Sequence, residues 1–419
     1  MNSWCATKLK NVCDLVTVGF VGSMAHEYCE TGIPFLRSQN ITPFSLNLKG
    51  LKYIDEKFHA QIRKSALQLG DVAVVRTGYP GTACVIPRKL GIANCSDLVI
   101  IRPGKQLNPH FLCSIFNSTF GRDLVDGNLV GAAQQHFNIT VAKELKLLLP
   151  PRAVQDKIAA ILTAHNELIE NNQRRIALLE KMAEEIYREW FVRLRFPGHE
   201  NVKNVKGIPE GWEIDRVDSI GKIVTGKTPS TDNPRYFGGP YFFIKTPDMH
   251  GNIFILETEE RLSQNGLDSQ PSQTISRGSI CVSCIGTGGI VSITTSECQT
   301  NQQINSVVVR NLSDLEWAFF TLRNLREAIQ MFGATGATMT NLSKGKFSSL
   351  KILRPNKSIV LKYHALVNPI FVQIQSILQQ TMILRSTRDL LLPRLISGKL
   401  SVEHLDIRFP PGMEESACD

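Results

Sequence analysis

The chain repeats itself once, and each copy runs into a long helix-like stretch. A shift of 208 places Trp4 on Trp212, Val16 and Thr17 on Val224 and Thr225, and Phe35 on Phe243. The same shift carries Gly70, Gly78 and Gly81 onto Gly278, Gly286 and Gly289, and the run LVIIRP (98–103) onto SVVVRN (306–311), with Arg102 on Arg310. After a deletion the offset becomes 205, so that Gly131-Ala132 meets Gly336-Ala337, His136-Phe137 meets Asn341-Leu342, and Pro150 meets Pro355. A period this long is not that of a solenoid. It predicts two similar globular heads, each trailed by a helix, a layout suited to two similar, separated targets.

Composition narrows the class. With 42% hydrophobic and 20% charged residues over 419 positions, the chain can bury cores in two or three domains. No apolar run approaches the ~20 residues of a membrane-spanning helix, and the start MNSWCATKLK lacks the apolar centre of a signal peptide. Ten cysteines without framework spacing fit a reducing cytoplasm. The lone CxxC, Cys281 to Cys284, lies in a strand-like run where residues three apart face opposite ways, so it reads as two buried small side chains and not as a metal site. The net charge of +9 is uneven: +6 falls on 1–150, and +1 on each of 151–204, 205–356 and 357–419. A basic first head suits a polyanion, because neutralising phosphates releases counterions.

Local patterns give the elements. DVAVVRTG (71–78) and SICVSCIG (279–286) are β-branched and bounded by glycine, as core strands are, whereas 108–125 and 313–332 carry helical faces. Each head therefore reads as mainly-β α+β. In 155–192 one heptad position takes Ile158, His165, Asn172, Leu179 and Ile186, and the other takes Leu162, Ile169, Ile176, Ala183 and Trp190. Five such heptads predict a coiled-coil helix about 54 Å long, with Asn172 as a polar register residue in its seam. The second frame reads Tyr363, Val367, Ile370, Ile374, Ile377, Thr381, Leu384, Arg388 and Leu391. It weakens after Ile377, and Pro369 predicts a kink or a late start. The economical geometry packs the two helices together as a spacer with a head at either end, dividing the chain into a first head (1–150), a spacer helix and linker (151–204), a second head (205–356) and a distal helix with tail (357–419).

These residues resemble the specificity subunits of type I restriction–modification enzymes along essentially the whole chain. The likeness rests on LLPPRAVQDKIAAIL (148–162), LIENNQRRIALLEKMAEEIYREWF (168–191), GWEIDRVDSIGKIVTGKTPS (211–230), YFFIKTPDM (241–249) and LLLPRLISGKL (390–400). Val154 departs from the family pattern, which has an acidic residue before Gln155. The resemblance implies two target-recognition domains, each reading half of a split sequence in double-stranded DNA. An antiparallel pair of helices would hold these recognition domains, 1–150 and 205–356, apart and dock methyltransferase (M) subunits, which the restriction (R) subunits join. S-adenosylmethionine, ATP and Mg would then belong to those partners, and this chain would bind no cofactor or metal and catalyse nothing. Its sequence agrees, since it carries no phosphate-binding GxxxxGK loop and its nearest approach to an adenine-methyltransferase motif, Asn233-Pro-Arg-Tyr236, lacks the second proline.

Candidate readers lie where the copies differ within matching flanks. Arg37-Ser38-Gln39-Asn40 stands against Lys245-Thr246-Pro247-Asp248, and Gln134-Gln135-His136 against Met339-Thr340-Asn341. Arg and Lys can bridge guanine, Asn and Gln can bridge adenine, and Asp can accept from cytosine. Arg76, Thr77 and Tyr79 are candidates to hold phosphate or unstack a base, and Lys344 and Lys346 to contact phosphate; capping of turns is the alternative use of all these residues. Gly78, Gly81, Gly286 and Gly289 read as turn glycines. His136 has no repeated nucleophile or carboxylate beside it, which argues against a general base. The spacer or docking face comprises Leu162, Ile169, Asn172, Ile176, Leu179, Ile186, Ile370, Ile374 and Ile377. Trp190-Phe191 either docks a partner or caps the helix pair against the second head. The competing function is a coiled-coil scaffold whose two heads bind proteins; a stand-alone nuclease ranks third.

Overall fold

The computed structural model describes residues 4–127, 136–334, 340–411 and 413. Two compact units form: Met1–Asn171 with Thr381–Asp419, and Asn172–Gln380. Each unit holds one mainly-β α+β head and a segment of both long helices.

In the first head an antiparallel sheet orders Cys13–Val18, Leu98–Pro103, Val72–Val75 and Ala83–Val85. Its central strands are buried on both sides, which is why they read as unbroken Val/Ile/Leu runs. Val72, Val74, Val99 and Ile101 face the core shared with the helix Pro109–Phe116, and Ala73, Val75, Leu98 and Ile100 face a second core. Lys52–Ile54, Ile33–Leu36, Ala93–Cys95 and Ala66–Leu67 form the second sheet, with a parallel pair at Ile33–Leu36 and Ala93–Cys95.

The second head repeats this plan. Gly221–Thr225, Ile304–Val309, Ile280–Ser283, Val291–Thr294 and Phe254–Ile255 make one sheet, and Glu260–Leu262, Phe237–Ile244 and Cys298–Thr300 the other. Cys281 and Cys284 are both buried and belong to the two opposite cores of this head, as their spacing predicts. Burial pushes the Cys281 thiol up to about 12 and the Cys284 thiol to about 11.

Backbone pairing corrects the repeat in two places. Gly81 donates to the Val75 carbonyl as Gly289 does to Ser283, which keeps the offset at 208 there. Val72 pairs with Ile101, however, and Ile280 with Val307, so the following strand runs at 206. Arg102 therefore corresponds to Val308, and Arg310 to Gly104, whose N–H groups reach Val12 and Ile220. A slip of two keeps every side chain on its face, so the hydrophobic pattern does not reveal it. The strand Cys13–Val18 also carries a bulge opposite Arg102 and Pro103, whereas Gly221–Thr225 pairs regularly. The extra residue moves the structural match to Val16 with Ile223.

Arg102 uses its position for a bidentate pair with the fully buried Asp71, at 2.8 and 2.9 Å. The second head has Ser279 at the place of Asp71, and its hydroxyl caps the Ser276 carbonyl at 2.7 Å.

The first long helix, Arg152–Tyr187, continues into a wider turn at Arg188–Val192; the second runs unbroken over Lys357–Ile396. Pro369 thus neither delays nor ends the second helix. The missing N–H and ring clash cost about 3 kcal/mol, offset by burial of Val367, Ile370, Phe371 and Ile374 around it. In the first unit, Ile158 and Leu162 pack in one core with Leu392, Leu395 and Ile396. Lys157 reaches the Glu403 carbonyl at 2.7 Å, and Arg388 reaches Asn166 at 3.0 Å. Rising numbers on one helix meet falling numbers on the other, so the segments run antiparallel. In the second unit, Ile176, Ala183 and Tyr187 share a core with Tyr363, Val367, Ile370, Ile374 and Ile377.

Candidate nucleic-acid interface

Matching turns follow the strands Ile33–Leu36 and Phe237–Ile244, and they are built alike. The Arg37 N–H donates to Asn40 Oδ1 at 3.0 Å, and the Lys245 N–H donates to Asp248 Oδ2 at 2.7 Å. Asn40 is fully buried and its amide also donates to the Asn47 carbonyl at 2.8 Å; Asp248 accepts a second N–H, from Glu259, at 3.0 Å. Both side chains close their own turns, the use short polar residues have when backbone N–H groups lack partners. Asn40, with no exposed surface, is therefore not free to read bases, whereas Asp248 is half-buried and keeps lone pairs beyond the two it uses. Arg37 donates to the Gly50 carbonyl at 2.8 Å, and Lys245 is paired with Glu260. Ser38 is half-buried and Gln39 exposed at the tip of the first turn.

The glycine loops sit beside these turns. Gly78, Gly81, Gly286 and Gly289 all have φ between +80° and +87°, a conformation that side chains resist. Arg76 and Thr77 do not project freely: Arg76 Nη1 donates to Asp97 Oδ1 at 2.9 Å, and Thr77 Oγ1 to Asp97 Oδ2 at 3.0 Å. The Phe137 N–H donates to the Arg76 carbonyl, which brings the half-buried His136 to this cluster. Tyr79 is 85% exposed, the most open large side chain of the loop. Gln134 and Gln135 lie outside the described residues.

In the second head, Ile285–Gly286 pairs with Thr340–Asn341, and the Leu342 N–H meets the Cys284 carbonyl as Phe137 meets Arg76. Thr246 is buried and donates to Gln303 Oε1 at 3.2 Å. Thr228 donates to Gln302 Oε1 at 2.8 Å. Asn341, Lys344, Lys346, Lys227 and Gln302 are exposed. The structure thus gathers segments 227–228, 245–248, 284–286, 300–303 and 340–342. Asp97, Thr228, Gln302 and Gln303 were missed in the sequence because a constant offset of 208 sets the two loops out of register. The run Asn301-Gln302-Gln303 was the signal that could have found them. Among the described residues no three His, Cys, Asp or Glu side chains stand together to hold a metal ion, and no helix is long and apolar enough to cross a membrane.

The type I restriction modification DNA specificity domain matches this chain twice, over residues 3–181 and 209–383. The chain belongs to that family. Among its relatives, the MjaIX specificity subunit of Methanocaldococcus jannaschii is 23% identical over 418 residues, covering 96% of this chain and 94% of that one. The HindI specificity subunit of Haemophilus influenzae is 37% identical over 195 residues, covering 46% of this chain and 42% of that protein. The chain thus matches less than half the length of the HindI subunit. The crystal structure of a type I S subunit from M. genitalium shares the fold, with a TM-score of 0.64 at 14% identity over 94% of this chain and 96% of that one.

In this specificity-family chain the helix seam is filled from within. Leu162, Ile169, Asn172, Ile176, Ile370, Ile374 and Ile377 are buried, and Leu179, Ile186 and Trp190 are partly so. The buried members of this set are closed to a docking partner. Phe191 is likewise buried: its ring lies 4.9 Å from Tyr363 and 5.8 Å from Trp212, centre to centre, while Trp190 lies 5.7 Å from Tyr363. The aromatic pair therefore packs the helix ends against the second head. Apolar side chains that do face solvent on the two long helices of the second unit include Leu178, Met182, Leu361, Leu366 and Val372.

Proposed function

We propose that this chain is the sequence-reading subunit of a type I restriction–modification complex. Each head reads one half of a split target in double-stranded DNA, the helix pair fixes the separation, and the chain itself performs no catalysis. The observation that carries this reading is one scaffold built twice with different polar side chains at matching places: the turns Arg37–Asn40 and Lys245–Asp248, closed by the same N–H bond, and the loops that hold Asp97 in the first head and Gln303 in the second. A shared scaffold with exchanged contact residues is what two different half-sites demand. Tyr79, Gln39, Asn341, Lys344 and Lys346 supply exposed polar and cationic groups on the two heads. Methyltransferase and restriction subunits bring S-adenosylmethionine, ATP and Mg, and the methyltransferase docks on outer helix positions such as Leu178, Met182 and Val372, since the seam is closed. The work of the complex lies in the cytoplasm.

Titration of duplex binding by the purified chain against salt tests this reading. With six or more phosphates neutralised, affinity falls by about 10³-fold or more between 50 and 200 mM salt. An affinity indifferent to salt, or binding only to protein, would instead favour the scaffold with two protein-binding heads.

A further inference from the structure

The loop at 300–304 of the second head holds one residue more than its counterpart. Asn94 pairs with Phe35 as Gln299 pairs with Phe243, an offset of 205, whereas Val99 pairs with Val74 as Asn305 pairs with Val282, an offset of 206. The added residue falls within Asn301-Gln302-Gln303, the loop whose neighbours are Lys227, Thr246 and the strand pair Ile285–Gly286 and Thr340–Asn341.

Gln303 is held there with unusual completeness. Its N–H donates to Asn301 Oδ1 at 3.2 Å, and its carbonyl accepts from the Cys284 N–H at 2.8 Å. Because Asn301 Oδ1 takes that N–H, its Nδ2 must face Gln303, and it donates to Gln303 Oε1 at 3.1 Å. Thr246 Oγ1 donates to the same oxygen at 3.2 Å. The amide oxygen is thereby turned inward and its nitrogen outward. Gln303 Nε2 has no hydrogen-bond acceptor among the described residues and is not among the buried unpartnered atoms, so this donor is left unspent and reachable from solvent. A Cβ on Gly286 would lie 4.0 Å from that nitrogen, so the glycine leaves the approach open. The Lys227 N–H donates to the Thr300 carbonyl at 2.9 Å at the start of this loop.

A fixed donor with an oriented amide suits the acceptors that base pairs present in the major groove: purine N7, guanine O6 or thymine O4. We propose that Gln303 is a specificity-determining residue of the second head, donating from Nε2 to one such acceptor in the second half-site, with Thr246 and Asn301 as its positioning residues. The assignment rests on the DNA-reading function above and names one contact that carries it. The first head meets the same point with other chemistry, since Asp97 there binds Arg76 and Thr77.

Selection from duplex DNA randomised across both half-sites, by the purified full chain, tests it. Wild type is expected to enrich a two-part motif. Gln303→Ala is expected to relax one base pair of one half by about 10–100-fold while the other half stays unchanged. Gln303→Glu, which turns the donor into an acceptor, is expected to move preference at that base pair toward a donor such as cytosine N4 or adenine N6. Two variants that enrich the wild-type motif, or that bind every sequence more weakly by one factor, would overturn the role of Gln303. Wild type enriching no motif would overturn the DNA-reading assignment beneath it.

Discussion

Replacing Tyr363 with alanine is expected to destabilise the unit spanning 172–380 by about 3–5 kcal/mol, the cost of deleting a large buried ring. Tyr363 has no exposed surface and stands where the second long helix meets the end of the first: its ring centre is 4.9 Å from Phe191, 5.7 Å from Trp190 and 6.4 Å from Tyr187. Such pairs add about 0.5–1.5 kcal/mol each beyond burial. Its hydroxyl contributes less, reaching the Ala183 carbonyl only at 3.5 Å. Tyr363→Phe is accordingly expected to cost under about 1 kcal/mol. Hydrogen exchange checks both, with protection lost across 172–380 in the alanine variant and retained in the first head. Equal losses in both variants would show that the hydroxyl, and not the ring, supports this core.

Lengthening the helix pair by one heptad is expected to change the spacing of the DNA target. Asn166 and Arg388 meet across the helices at 3.0 Å, so seven residues inserted at each point keep the facing residues paired. A heptad adds about 10.5 Å and returns the seam to within about 20° of its former face. At 3.4 Å per base pair, the unspecified gap should grow by about three base pairs, with both half-sites intact. Adenine-methylation mapping reads both quantities at once. A gap of unchanged length would end the idea that the helices set the separation, and altered half-sites would show that the heads do not read independently.

The duplication was legible because both copies keep what their turns and cores cannot exchange. Gly78 and Gly286 hold positive φ, and Phe35 and Phe243 are buried at one strand position. The long helices were legible from period alone, apart from Pro369, whose penalty is met by tertiary packing that no local pattern displays. The slip in the strand Ile304–Val309 was hidden because two residues is the period of a strand. The interface was least legible. Asn40 and Asp248 look like base readers in a sequence, yet each closes its own turn, and only the partner positions reveal this. Gln303 looked ordinary until the loop before it proved one residue longer than its counterpart. Polar side chains take their roles from neighbours distant in sequence, whereas apolar side chains in regular elements take theirs from period.

The central claim is that this chain supplies the sequence specificity of a DNA-modifying complex, and adenine-methylation mapping of the host genome with and without the chain tests it most directly. The account predicts that one motif, two short specified halves around a fixed gap, disappears when the chain is removed and returns when it is restored. A host whose methylated motifs include such a split sequence, and keep it unchanged in the absence of the chain, would contradict the account.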